Sequence, residues 1–244
     1  MQKFETVFNT KITFKVPANL LSDGMTNTKT KKNNVKSFIL YLAPANQSGV
    51  VNVCPFASPG CKDGCLYKAG LGGVYPSVQN ARINRTKFWA ADRQLFYTKL
   101  GNELLMIAAT YKKAAVRLNG TSDIDHLDLL KRYTGIDFLS KKYKNVKFYD
   151  YTKNINIVKK YADTSYHLTF SKSENNDLQV QQALELGANV AAVFSHTLPA
   201  TYLGYPVVDG DLTDYRPGDG KGVIVGLVAK GPAKKDKSGF VIQN

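Results

Sequence analysis

The chain has 244 residues, long enough for one sizeable core, and α/β folds of about 250 residues form single domains. With 43% hydrophobic and 21% charged residues it has the balance of a soluble protein, and no run of about 18 apolar residues exists to span a membrane. The formal net charge of +14, from 33 Lys and Arg against 19 Asp and Glu, attracts polyanions and keeps nucleic acid open as a partner.

The opening Met1-Gln2-Lys3-Phe4 lacks the apolar stretch of a secretion signal, so a cytoplasmic location is expected. Residues 11–16 alternate polar and apolar, which predicts a half-buried strand, and the polar stretch 22–34 reads as a loop. The continuously apolar run 38–43 predicts a strand buried on both faces, as in a parallel sheet, and Pro44 ends it. A loop rich in Pro and Gly follows and carries Cys54, Cys61 and Cys65; Gly70, Gly72, Gly73 and Pro76 extend it. Ser77 is a suitable N-cap for a long helix through about Lys112, which Gly101 would kink or divide. From there strand-like and helical stretches alternate. Strands are expected at 114–118, 145–149, 166–170, 189–194, 207–208 and 222–227, and helices at 123–133, 154–161 and 176–186, the last closed by Gly187.

Such alternation predicts a mostly parallel sheet with right-handed crossovers. The complete units are too few for an eight-fold barrel, so a partial or open (β/α) barrel is expected. It would form one domain over 1–244, with irregular ends at roughly 1–35 and 230–244.

Parallel α/β folds bind ligands at the carboxyl ends of their strands, which places the cysteine loop and the polar residues after each strand at one mouth. Candidate cofactor-binding residues there are Asn119, Ser122, Asp123, Lys153 and His196. Thr152, Ser171, Lys172, Asp209 and Asp211 hold comparable positions. Asp123 has a second reading as the cap of a helix beginning near Ile124.

The three cysteines stand in the pattern C-x6-C-x3-C, an odd number in one short loop and no disulfide framework. Three thiolates converging on one centre suit a [4Fe–4S] cluster, with one iron left open for a substrate, water or fourth side chain. Zinc is the main rival, since three Cys with one His or Asp complete a tetrahedron, although paired C-x-x-C knuckles are missing. The bland reading is three small buried hydrophobes. No G-x-x-x-x-G-K-[ST], G-x-S-x-G or H-E-x-x-H motif occurs, so the common nucleotide-binding and hydrolase readings lose ground.

The runs Ile39-Leu40-Tyr41-Leu42-Ala43-Pro44, Asn52-Val53-Cys54-Pro55, Ser58-Pro59-Gly60-Cys61 and Cys65-Leu66-Tyr67-Lys68-Ala69-Gly70 resemble a family of phage-encoded proteins, the gene product eighty-eight family. So do Ala81-Arg82-Ile83, residues 117–124 (Arg117 to Ile124) and Asp209-Gly210-Asp211, and the likeness runs from about Asn27 to Lys230. The cysteine loop after a first strand also resembles the radical S-adenosylmethionine enzymes, whose first βα loop holds a three-cysteine [4Fe–4S] cluster. Their common C-x-x-x-C-x-x-C pattern is shorter at both intervals, so that resemblance implies the cluster more directly than S-adenosylmethionine itself.

Two functions are therefore expected to compete. One is an iron–sulfur protein with redox or radical chemistry on a small molecule or with a redox partner. The other is a basic nucleic-acid-binding protein with a structural zinc or cluster, using Arg82, Arg85, Lys87 and Arg93 with Phe88 and Trp89 interleaved for base stacking. Helical spacing favours Phe88 and Trp89 as core.

Overall fold

The computed structural model describes residues 12–24, 35–65 and 73–244. Its strands are β1 (Leu21–Asp23), β2 (Lys36–Leu40), β3 (Ala114–Arg117), β4 (Val146–Thr152), β5 (His167–Ser171), β6 (Asn189–Phe194), β7 (Thr201–Tyr202), β8 (Tyr205–Asp209), β9 (Ile224–Val228) and β10 (Val241–Ile242). They join in one sheet in the order β1-β2-β3-β4-β5-β6-β9-β8-β7, with β10 against β6. The pairs from β2 through β6, on to β9 and β8, are parallel. Among the described residues only β1 on β2 and β7 on β8 are antiparallel. The result is a mixed α/β fold on a mostly parallel sheet that does not close.

The helices are α1 (Pro59–Asp63), α2 (Pro76–Ala91), α3 (Arg93–Thr110), α4 (His126–Thr134), α5 (Ile155–Tyr161) and α6 (Asp177–Glu185). Strand side chains alternate between two faces. Leu40, Val116, Phe148 and Leu168 meet Phe88, Phe96, Leu104, Leu130 and Ile157 in the main core. Phe170, Val190, Ala192 and Phe194 meet Val158, Val180 and Leu184 in a second cluster. Helices α2 to α6 thus cover one face, where each fully buried Leu or Phe contributes about 1.5–3 kcal/mol. Ala115 and Tyr149 point the other way and meet Val35 and Tyr215. Val193 on that side meets Ala229, Ala233 and Val241.

Several expected elements differ. Residues 12–16 form no strand: the Lys15 N–H donates to Asn84 Oδ1 at 2.8 Å, and Asn84 Nδ2 donates back to the Lys15 carbonyl at 2.5 Å. A side chain has replaced a ladder, and Phe14 stacks on Phe88 at 5.1 Å. Lys11 and residues 25–34 of the expected loop lie outside the described residues. The single long helix is two, and the break falls at Asp92, not Gly101. Asp92 ends α2 and caps α3 by accepting from the Leu95 N–H at 2.9 Å. Gly101 lies within α3, where a Cβ would come 3.3 Å from the Thr134 methyl, so its small size serves the packing of α4. Pro76, with Tyr75 as N-cap, opens α2 in place of Ser77. Residues 230–244, expected to be irregular, supply a 3-10 turn over Gly231–Lys235 and strand β10.

Candidate metal centre

The chain leaves β2 and is crossed at once by the segment that follows β3. The Gly120 N–H donates to the Leu40 carbonyl at 3.0 Å, and the Asp123 N–H donates to the Val53 carbonyl at 2.8 Å. Thr121 Oγ1 donates to the Leu42 carbonyl at 2.5 Å. A Cβ at Gly120 would lie 2.7 Å from the side chains of Ile39 and Tyr41, so this crossing requires glycine. Cys54 is set beside it. Its N–H donates to Asn52 Oδ1 at 2.8 Å, and its Sγ lies 3.7 Å from the Thr121 carbonyl.

Ser58 then caps α1, with Cys61 N–H donating to its Oγ at 3.2 Å and Pro59 in the first turn. Glu174, three residues beyond the end of β5, fastens this turn. It accepts from Ser58 Oγ at 2.6 Å and from the Gly60 N–H at 2.8 Å. Burial of the carboxyl opposes ionisation, yet these donors hold its pKa below the ordinary value. The C-terminal stretch closes over the other side. A Cβ at Gly60 would collide with Ser238 and Phe240, and one at Gly64 would lie 3.2 Å from Ala233.

None of the three cysteines is in a disulfide, and each is half-buried. Burial pushes the Cys54 thiol up to about 12, and the charges of Asp123, Cys65 and Cys61 push the same way. The other two sulfurs are thus within electrostatic reach of Cys54. Among the described residues no group of three or more His, Cys, Asp or Glu side chains is gathered tightly enough to hold a metal ion.

The other candidate residues divide into two sets. Asn119 Oδ1 accepts from Ser122 Oγ at 2.8 Å and from the Ile124 N–H at 2.9 Å, and its Nδ2 donates to the Ile124 carbonyl. Asn119 and Ser122 therefore brace the loop that touches Cys54. Asp123 does not cap the next helix, because α4 begins at His126 and Asp125 caps it, accepting from the Asp128 N–H at 3.2 Å. Asp123 instead ties β3 to β4, accepting from Thr152 Oγ1 at 2.7 Å and from the Lys153 N–H at 2.9 Å. Burial raises its pKa, while Thr152 and Lys153 act to lower it. The Lys153 ammonium lies 5.8 Å from the centre of the Phe240 ring, on the segment that covers Gly60. His196 stands apart. It is exposed, and its Nδ1 meets Ser195 Oγ at 3.0 Å. Asp211 is engaged with Lys230 at 2.7 Å and with the Val228 N–H.

Sequence reasoning missed Glu174 and Phe240, which no local pattern singles out. It also missed α1, although serine before a proline in a first helical turn is a recognisable start signal. The α2 residues proposed to stack on bases do not offer their rings. Phe88 is 0% and Trp89 5% exposed, both in the main core, and the Arg93 guanidinium covers the indole at 4.2 Å.

A family model, Gene product 88, matches residues 19–244. The chain belongs to the gene product 88 family. Shared features therefore extend past the resemblance read from residues 27–230, to β1 at one end and β10 at the other. The match takes in both the cysteine loop and the C-terminal stretch packed on it. No curated protein and no solved structure matches this gene product 88 family member. No described helix is long and apolar enough to cross a membrane.

Proposed function

We propose that this chain is an iron–sulfur protein in which Cys54, Cys61 and Cys65 hold a [4Fe–4S] cluster at the carboxyl ends of the strands of an incomplete (β/α) barrel. The observation that carries this reading is the loop itself. It carries three cysteines that no disulfide joins, with Cys61 and Cys65 both within electrostatic reach of Cys54. It is pinned to the segment after β3 by the Asp123–Val53 bond and to the segment after β5 by Glu174.

The donor set fits the group. Cys thiolates are the usual ligands of such a cluster, three of them leave one iron for another ligand, and glycine-rich turns let backbone amides approach its sulfides. Cys54 is protonated at neutral pH, so metal uptake must release its proton and draw Cys61 and Cys65 inward. Bound there, the cluster would supply a one-electron centre with one iron open to a ligand.

The chain's own residues set the surroundings. Glu174 fixes the α1 turn that bears Cys61, and Asn119 with Ser122 braces the loop against Cys54. Asp123 and Lys153 place one charge of each sign beside the site, which tunes both the potential and the binding of a polar small molecule. S-adenosylmethionine is the finer possibility for that molecule. Phe88 and Trp89 are in the core, so the nucleic-acid reading retains only the net charge.

The test is iron and sulfide content with the visible spectrum of anaerobically purified protein and of Cys54→Ala, Cys61→Ala and Cys65→Ala. A broad band near about 400 nm that each substitution strongly reduces is expected. Full iron content in all three variants removes the ligand assignment. A change in the reduced cluster's electron paramagnetic resonance on adding S-adenosylmethionine would support the finer reading.

A further inference from the structure

The face of the sheet opposite α2 to α6 holds a second group of polar side chains. Arg117 ends β3 on this face. Tyr149 and His167 are register partners across β4 and β5, and Tyr151 and Thr169 are the next pair along. Their neighbours Phe148, Leu168 and Phe170 point to the helices, so these residues point away from them. The segment between β8 and β9 lies over this surface. Tyr215 meets the Tyr149 ring edge-on at 6.1 Å. The wholly buried Arg216 acts electrostatically on Tyr151 and His167.

This surface is polar, buried and incompletely satisfied. Arg117 Nε, Tyr149 Oη, His167 Nε2, Thr169 Oγ1 and Arg216 Nε have no hydrogen-bond partner among the described residues. Arg216 Nη2 donates to the Thr213 carbonyl. Arg216 Nη1 forms an ion pair with Asp219 Oδ2 at 3.1 Å, but off hydrogen-bond geometry. Tyr149, Thr169 and Arg216 are each 0% exposed. A buried polar group left unmet costs about 1–3 kcal/mol, and more when charged, so native proteins rarely gather several without a use.

We propose that this face binds an oxyanion group of a small molecule, a phosphate or carboxylate, with Arg117 and Arg216 as its cationic partners and the Tyr149 and Thr169 hydroxyls as further donors. The unmet atoms are mostly donors, and two of their owners carry fixed charges whose planar forks match oxyanions. One nearby carboxylate is already engaged. Asp150, 4.0 Å from Arg117 Nε, already accepts from the Leu118 and Asn119 N–H groups and from Tyr166 Oη. Asp214 also acts on Arg117, and Asp219 offsets part of the charge of Arg216. A cavity of about 350 Å³ opens beside this group at His167, while Arg117, Tyr149, Thr169 and Arg216 lie behind its wall. His167 and Tyr215 line it together with Lys147 and Lys221, which gives a small anion a cationic entrance.

This goes beyond the cluster reading and stands without it. The test is thermal unfolding and calorimetric titration of the full chain with inorganic phosphate and, separately, succinate, against chloride at equal ionic strength. Saturable binding of either probe is expected, phosphate indicating a phosphorylated ligand and succinate a carboxylate. Arg216→Gln should weaken it at least ten-fold. Tyr149→Phe and Thr169→Val, which remove one hydroxyl each and decide the matter if Arg216→Gln does not fold, should weaken it about three-fold or more. Cys54→Ala should leave it unchanged, which separates this site from the cluster. No saturable binding of either probe, or equal binding by the hydroxyl variants, would mean bound water or an adventitious ion only and would overturn the proposal.

Discussion

On the helix-covered face, Phe148, Leu168 and Phe170 meet helices whose apolar residues recur at helical spacing, and the contact is broad and apolar. The cysteine loop is held differently. Cys54, Ser58 and Gly60 depend on a few polar bonds to residues 121–123 and to Glu174, and on close contact with residues 233–240. The first region gains its stability from area and tolerates small shifts. The second gains its position from single directional bonds, so its shape can change without unfolding the protein. The proposed uptake of a metal would need that property.

The comparison can be broken from the core side first. Phe148 is 1% exposed in the main core, and Phe148→Ala should cost about 3–5 kcal/mol by leaving a cavity. Chemical denaturation checks this. Whatever protein remains folded should bind iron as the parent does, and a loss of iron at full stability would show that the two regions are not separable in this way.

Acid presses on the same core. His126 is fully buried, its Nδ1 meets Tyr97 Oη at 3.0 Å, and burial pushes its pKa from 6.5 down to about 3. The unfolded chain takes up this proton below about pH 6.5 while the folded protein does not. The contribution is complete above that pH and is lost progressively as pH falls toward 3. At about 1.4 kcal/mol per pH unit, moving from pH 7 to 4.5 should cost about 2.5 kcal/mol through this side chain. His126→Gln should flatten that part of the profile, and an unchanged slope would contradict a neutral buried imidazole.

The loop side should respond to a smaller perturbation. Glu174→Gln retains the shape but removes the charge from two bonds, a loss of about 1–2 kcal/mol. The expected result is a small change in melting temperature with a clear fall in iron retention under a chelator. Unchanged retention would remove Glu174 as the fastening of the α1 turn.

The same division explains what could be read from the chain. Strands β2 to β6 were legible because each is a short apolar run between polar turns, and α5 and α6 because their apolar spacing is local. The break at Asp92 is not legible from helix propensity, which points to glycine, because a capping aspartate can end one helix and start the next. The cysteines were legible from type and spacing. Glu174 and Phe240 were not, since their importance comes only from lying beside Gly60, more than a hundred residues away in the chain. Arg216 was equally hidden, on an irregular segment with no periodicity to mark its burial.

The most direct measurement of the central claim is the iron and acid-labile sulfide content per chain of protein purified without oxygen, alongside its zinc content. The account predicts about four of each, lost together from the Cys61→Ala protein, and little zinc. One zinc per chain without sulfide, or no metal retained by any preparation, would contradict it.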